Sequence, residues 1–480
     1  MPETIKVLFL AAEAEPYVKV GGLGDVAGSL PKALQALTEK ATGGIKLDIR
    51  LVLPLHPVIS HAGFRPLGVY SIPRGENELV VEAYETMLDG LRVYFINGEP
   101  FQSSGSVYSA DAKLDAEKYT FFSLAALDLP KLINWNPDIL HANDWHTGVT
   151  LYAALTRRWE ERSRHVASLI TVHNLTYMGP EVNQLLEGYG INLAQTDLPD
   201  WARQLPLPLG MWASDAIVAV SPTYAKEILT EAHGNGLEKF LQARKNNVHG
   251  ILNGLDTLSF DPATDHALGA TFEAGSVDQR KINKGILQER LGFTRDPEIP
   301  LIGMVSRMDK QKGIDLALKA LRRIKKSQWQ AILLGTGDPT LETAALKLQT
   351  DLPERVRVET RYDSVLARQI YGGADLLLMP SRSEPCGLSQ MIAMRYGCVP
   401  LVRAVGGLND TVKHFETGFV FEDATVKALS DCLLAALKLY QGRTVWRRIQ
   451  QAGMSQDLSW TSSAKRYFNL YKSLKASARL

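Results

Sequence analysis

Val7-Leu8-Phe9-Leu10-Ala11-Ala12 is an unbroken apolar run, and Lys19-Val20-Gly21-Gly22-Leu23-Gly24-Asp25-Val26 follows a few residues later. A strand covered on both faces reads as a continuous apolar run, not an alternating one. The glycines mark a tight turn, and apolar residues at helical spacing predict a helix from about Asp25 to Leu37. Strand, glycine turn and helix together open a parallel sheet with helices on both faces.

Outward from that stretch the plan repeats. Residues 48–53, 93–96, 139–141, 168–172 and 216–220 are further apolar runs, with helix-like stretches such as 118–129 and 147–157 between them. The pattern restarts after Asn253-Gly254. Residues 300–305, 329–334, 356–359, 376–379 and 399–402 predict strands, and residues 313–325 a helix. Residues 257–272 read as loop. Trp460, Ala464, Tyr467, Leu470, Tyr471 and Leu474 recur at helical spacing and predict a closing helix with one buried face. The predicted organisation is a Rossmann-like domain over residues 1–248, a second over 249–455, and a terminal helix over 456–480.

Composition narrows the partners. The 480 residues carry 53 Lys and Arg against 52 Asp and Glu, a formal charge of +1. That balance excludes broad neutralisation of a nucleic acid or an anionic membrane. Three cysteines give no disulfide framework and no zinc spacing, which fits a reducing, cytoplasmic setting. No basic-then-apolar leader opens the sequence, and no apolar run reaches the ~20 residues that span a bilayer.

The chemistry-bearing residues fall just after predicted strands, where ligands bind in doubly wound folds. In the first turn, glycines allow close backbone approach and φ > 0. N–H groups at the helix start suit an anion, Lys19 adds a charge, and Asp25 is a cap or a hydroxyl acceptor. Alternatively the turn is only a tight connection. After residues 300–305 come Arg307 and Lys312, which can hold a diphosphate and stabilise charge on a leaving group. After residues 376–379 comes Ser383-Glu384-Pro385-Cys386-Gly387-Leu388, a sharp turn with N–H groups at Gly387 and Leu388 and a helix beginning near Leu388. Glu384 is the carboxylate of that segment, and Cys386 reads as a small packing residue. Val405-Gly406-Gly407 repeats the glycine pair. His141, Asp144, His146 and His173 invite a metal reading, but no ligand spacing supports one. Hydroxyl recognition suits them better.

These segments together resemble the bacterial glycogen synthase and starch synthase family. The matches are KVGGLGDV (19–26), HANDWH (141–146), TVHN (171–174), VSPTYAKEI (220–228), GILNGLD (250–256), SRMDKQKG (306–313), SEPCGLSQ (383–390) and YGCVPLVRAVGGLNDTV (396–412). The resemblance implies a GT-B α/β architecture, two Rossmann-like domains facing each other across a deep cleft, and a terminal helix returning to the first. It implies a retaining hexosyltransferase of glycogen or starch synthesis that needs no cofactor and no metal. Glucose would pass from ADP-glucose, with UDP-glucose the alternative donor, to the non-reducing 4-hydroxyl of an α-1,4-glucan.

By position, Lys19 resembles the phosphate lysine, with Gly21, Gly22 and Asp25 beside it. Arg307 and Lys312 resemble the diphosphate clamp, and Glu384 the essential carboxylate. His173 and Asp144 would face the donor sugar. Asn253 resembles a donor-facing asparagine, and Tyr362 the aromatic that stacks on the base. Cys386, Gly387, Leu388, Val405, Gly406 and Gly407 would lie near the phosphates or glucose. The sequence departs from the family at Ser383, where an aromatic is common, and at Val405, where threonine is usual. Competing readings are a transferase with a short-oligosaccharide acceptor or priming role, and a non-catalytic glucan-binding homologue.

Overall fold

The apolar runs form two sheets in the computed structural model, which describes residues 3–103, 105–161 and 166–478. Each sheet is the spine of its own compact unit, Met1–Gly254 with Trp460–Leu480, and Leu255–Ser459.

In the first unit the strands are β1 (Thr4–Leu10), β2 (Lys46–Pro54), β3 (Arg65–Arg74), β4 (Asn77–Leu88), β5 (Leu91–Asn97), β6 (Ile139–Asn143), β7 (Ala167–Val172), β8 (Ala216–Ala219) and β9 (Val248–Gly250). Among the described residues they lie in the order β3-β4-β5-β2-β1-β6-β7-β8-β9. From β5 to β9 every pairing is parallel. The chain therefore works outward from β1 on one side through β2 and β5, then on the other from β6 to β9, as in a doubly wound sheet. Val7, Leu8, Phe9 and Leu10 are all buried, which is why that strand carries no polar alternation.

β3 and β4 depart from the expected all-parallel pattern. They pair antiparallel with each other, and β4 pairs antiparallel with β5. Val69 and Val80 on them are exposed. A half-covered ribbon has no continuous apolar run, so a search for such runs passes over it.

The second unit has β10 (Leu301–Val305), β11 (Gln330–Leu334), β12 (Val356–Glu359), β13 (Leu376–Met379), β14 (Val399–Arg403) and β15 (Phe419–Phe421). Their order is β12-β11-β10-β13-β14-β15, all parallel. A buried ion pair braces it: Lys284 Nζ lies 2.7 Å from Asp375 Oδ2, which also accepts from the Leu301 N–H at 2.8 Å.

The closing helix, Trp460–Ser477, belongs to the first unit. Tyr467 and Tyr471 are fully buried, and the Tyr471 hydroxyl lies 2.7 Å from His141 Nδ1. Lys475 Nζ reaches the Thr4 carbonyl at 2.6 Å and Asp138 Oδ2 at 2.9 Å, tying the helix to the start of β1. Among the described residues no helix is long and apolar enough to cross a membrane.

Candidate active site

In a doubly wound sheet the two halves diverge at a switch point, and the loops at the carboxyl ends of the strands part there. The switch points here lie between β1 and β6 and between β10 and β13. The candidate residues sit in those loops and their neighbours, partly in each unit.

In the first unit the glycine turn is held from within. Glu13, 1% exposed, accepts from the N–H of Val20, from the N–H of Gly21 at 3.2 Å and from the Tyr108 hydroxyl at 3.1 Å. Burial pushes this carboxyl above its ordinary range, against the pull of those donors. The N–H groups of Val20 and Gly21, just ahead of the helix start, are therefore spent within the turn. The expectation of φ > 0 is corrected: Gly21 has φ −138°, and Gly22 opens the Gly22–Gln35 helix. Lys19 Nζ bonds Asp25 at 2.7 Å and Glu15 at 3.1 Å. Burial alone would lower its pKa, but the two carboxylates outweigh that and hold it above the usual range. Asp25 thus pairs with Lys19.

Asp144, at the end of β6, has φ 54° and ψ −169°, a region that side chains rarely enter. The surroundings fix it there. Its N–H donates to the Thr171 carbonyl at 2.9 Å, and its Oδ1 accepts the His173 N–H at 2.7 Å. Burial pushes its carboxyl up to about 7, against the N–H groups of His173 and Asn174 and with Glu13 adding to the rise. His173 Nε2 lies 3.0 Å from Asn143 Oδ1. An amide oxygen only accepts, and Asn143 Nδ2 already donates to the Leu10 carbonyl at 2.9 Å. Nε2 therefore carries the proton and Nδ1 the lone pair. Burial pushes this imidazole down to about 3, so it is neutral at working pH. Asn253 is buried, and its Oδ1 has no partner among the described residues. His141 is spent on Tyr471 and Thr171 within the core.

In the second unit the β10 loop and the β13 loop touch. Gly313 has φ 70°, and a Cβ there would lie 2.1 Å from the Pro380 carbonyl oxygen. That close approach sets Lys312 beside Glu384: its Nζ lies 2.8 and 2.7 Å from the two carboxylate oxygens. Glu384 is 5% exposed and also accepts from the Ser381 hydroxyl at 2.9 Å. Arg307 is more open, its side chain 60% exposed and 3.4 Å from Asp309. Arg382 braces the loop by a two-pronged pair to Asp315 at 2.7 and 2.9 Å.

Gly387 has φ 78° and Gly406 φ 44°, so here the glycines do take the conformation that side chains resist. A Cβ on Gly406 would lie 2.0 Å from the Glu384 carbonyl oxygen. The N–H groups of Gly387 and Leu388 meet no acceptor among the described residues. The Gly407 N–H, by contrast, is committed to the carbonyls of Glu384 and Pro385 at 3.1 and 3.2 Å, so its amide is turned inward. Val405 is 1% exposed and its N–H bonds the Arg403 carbonyl at 2.9 Å. Leu388 precedes the Ser389–Arg395 helix, Cys386 is buried, and Tyr362 presents an 84% exposed ring.

Sequence reading missed Glu13, Tyr108 and Ser381. Glu13 and Ser381 lie inside or next to the quoted motifs and bond residues of those same motifs, Val20 and Gly21 for Glu13 and Glu384 for Ser381; only Tyr108 reaches its partner, Glu13, from far along the chain. An acidic residue ending an apolar strand run was the one available signal for Glu13.

Two doubly wound units with candidate residues at their strand ends define a GT-B glycosyltransferase. Known proteins agree. The pattern described as "Starch synthase catalytic domain" matches residues 6–243, and "Glycosyl transferases group 1" matches residues 289–452. A glycogen synthase from Anaeromyxobacter sp. is 38% identical across 98% of this chain and 100% of its own length. One from Gloeobacter violaceus is 39% identical across 98% and 99%. The structure of the starch synthase IV catalytic domain from Arabidopsis thaliana, bound to ADP and acarbose, superposes with a TM-score of 0.87 at 31% identity, covering 99% of this chain and 100% of that one. A sucrose-phosphate synthase from Thermosynechococcus elongatus shares the fold at 18% identity and TM-score 0.61, over 98% and 100% of the chains. The chain belongs to the glycogen synthase and starch synthase family of glucosyltransferases.

Proposed function

We propose that this chain transfers glucose from ADP-glucose to the non-reducing 4-hydroxyl of an α-1,4-glucan, with retention of anomeric configuration and without metal or cofactor. The observation that carries this reading is the Lys312–Glu384 pair, its carboxylate buried, beside the N–H groups of Gly387 and Leu388, which meet no acceptor among the described residues. A cation and aimed amides next to a carboxylate suit a site where a diphosphate leaves and positive charge builds on a sugar ring. A family member bound to ADP supports the nucleotide.

In this reading Arg307, Lys312 and the two amides hold the diphosphate, with Lys19 a further phosphate contact. Tyr362 stacks on the base. The bond between the anomeric carbon and the diphosphate oxygen breaks, and its electron pair leaves with the diphosphate. The glucan hydroxyl oxygen then bonds to that carbon on the vacated face, and its proton passes to a leaving phosphate oxygen. Glu384 offsets the charge on the sugar. Neutral His173 accepts a sugar hydroxyl at Nδ1, and Asp144 and Asn253 accept others. The protein works in the cytoplasm.

The test is a panel of ADP-glucose and UDP-glucose, each with glycogen, maltose and no acceptor. Turnover of ADP-glucose on glycogen, with an α-linked product, is expected. Turnover on maltose but not glycogen would favour the short-acceptor reading, and no turnover with either nucleotide would overturn the proposal.

A further inference from the structure

Gln390 is fully buried one turn beyond the Glu384 segment, and no role above uses it. Its Nε2 lies 3.2 Å from the Cys386 carbonyl oxygen, 2.9 Å from the Gly387 carbonyl oxygen and 3.2 Å from Thr411 Oγ1. Acceptors on that side fix which end of the amide is nitrogen. Its Oε1 is buried with no partner among the described residues and lies 2.4 Å from where a Cβ on Gly387 would be. The Thr411 hydroxyl in turn donates to the Gly407 carbonyl at 2.6 Å. One side chain thus joins the Glu384 turn to the second glycine pair.

A trans peptide is planar, with its C=O and N–H pointing in opposite directions. The Cys386 carbonyl shares its plane with the Gly387 N–H, and the Gly387 carbonyl shares its plane with the Leu388 N–H. Drawing both carbonyls inward to Nε2 turns both N–H groups outward. Those are the two amides that meet no acceptor among the described residues. We propose that Gln390 is a positioning residue: it sets the orientation of the 386–387 and 387–388 peptides, and so aims the Gly387 and Leu388 N–H groups at the donor diphosphate. Oε1 fills the space where a Cβ on Gly387 would sit, and glycine accepts both that contact and φ 78°. This inference rests on the donor reading given above and assigns the device that prepares it.

Preorganised donors are worth about 10²–10³ in rate each. Gln390→Met keeps the length and removes the amide. It should fold, lower kcat/KM for ADP-glucose about 100-fold, weaken ADP binding in calorimetry about tenfold, and leave KM for glycogen within twofold. Gln390→Glu, which sets a carboxylate against the two carbonyls, should lose as much or more. A merely structural role would instead lower thermal stability and affect both substrates alike. The wild-type protein supplies a measurement free of folding defects: ADP should slow hydrogen exchange at the Gly387 and Leu388 amides. Donor kcat/KM within threefold of wild type in a folded variant, parallel shifts in both KM values, or no ADP protection of those amides would each overturn the assignment. Absence of wild-type turnover with ADP-glucose would refute the donor reading, a separable result.

Discussion

Lys312 holds Glu384 by both carboxylate oxygens, at 2.8 and 2.7 Å, across 72 residues of sequence. Glu384 is nearly inaccessible while the Lys312 side chain remains 20% exposed. The two partners are therefore not equivalent. Lys312→Met strands a buried carboxylate and should lower stability by about 3–5 kcal/mol, measured by denaturant unfolding. Glu384→Gln leaves a cation that can turn to water and should cost clearly less. Both should cut kcat by about 100-fold or more. Equal stability losses would show that the carboxylate is not held desolvated.

The Asp144 carboxyl, pushed up to about 7 from 3.8, gives a pH signature. The folded chain keeps a proton that the unfolded chain releases between about pH 4 and 7. Stability therefore falls as pH rises through that window. Each pH unit crossed costs about 1.4 kcal/mol, for a total of up to about 4 kcal/mol. Asp144→Asn retains the acceptor for the His173 N–H and removes the titration. Its stability relative to wild type should rise from pH 4 to 7 in denaturant unfolding, and parallel curves would refute the raised pKa.

Glu13→Gln tests the turn from below. The carboxylate accepts from Val20, Gly21 and Tyr108, and an amide replaces one acceptor by a donor facing N–H groups. Loss of a buried acceptor costs about 1–3 kcal/mol. The turn should loosen and KM for ADP-glucose should rise about tenfold, with KM for glycogen less affected. An unchanged donor KM would confine Glu13 to packing.

Tyr362, 84% exposed, has little to do for the folded state. Tyr362→Ala should leave the melting temperature within about 1 °C. Base–aromatic stacking is worth about 1–3 kcal/mol, so ADP binding should weaken roughly tenfold or more. Unchanged ADP affinity in calorimetry would remove Tyr362 from the donor site.

The sequence by itself determined the two doubly wound sheets. Strands buried on both faces leave continuous apolar runs, as at Val7–Leu10 and Leu376–Met379, and the candidate residues follow those runs directly. Half-covered β3 and β4 left no such trace. Only the tertiary structure decided which polar groups are spent and which are available. The N–H groups of Val20 and Gly21 are taken by Glu13, and that of Gly407 by Glu384 and Pro385, whereas those of Gly387 and Leu388 are turned outward by Gln390. Periodicity records burial because burial repeats with the backbone. A hydrogen bond depends on how a turn is bent, so even partners a few residues apart, such as Glu13 with Gly21 or Gln390 with Gly387, leave no periodic trace.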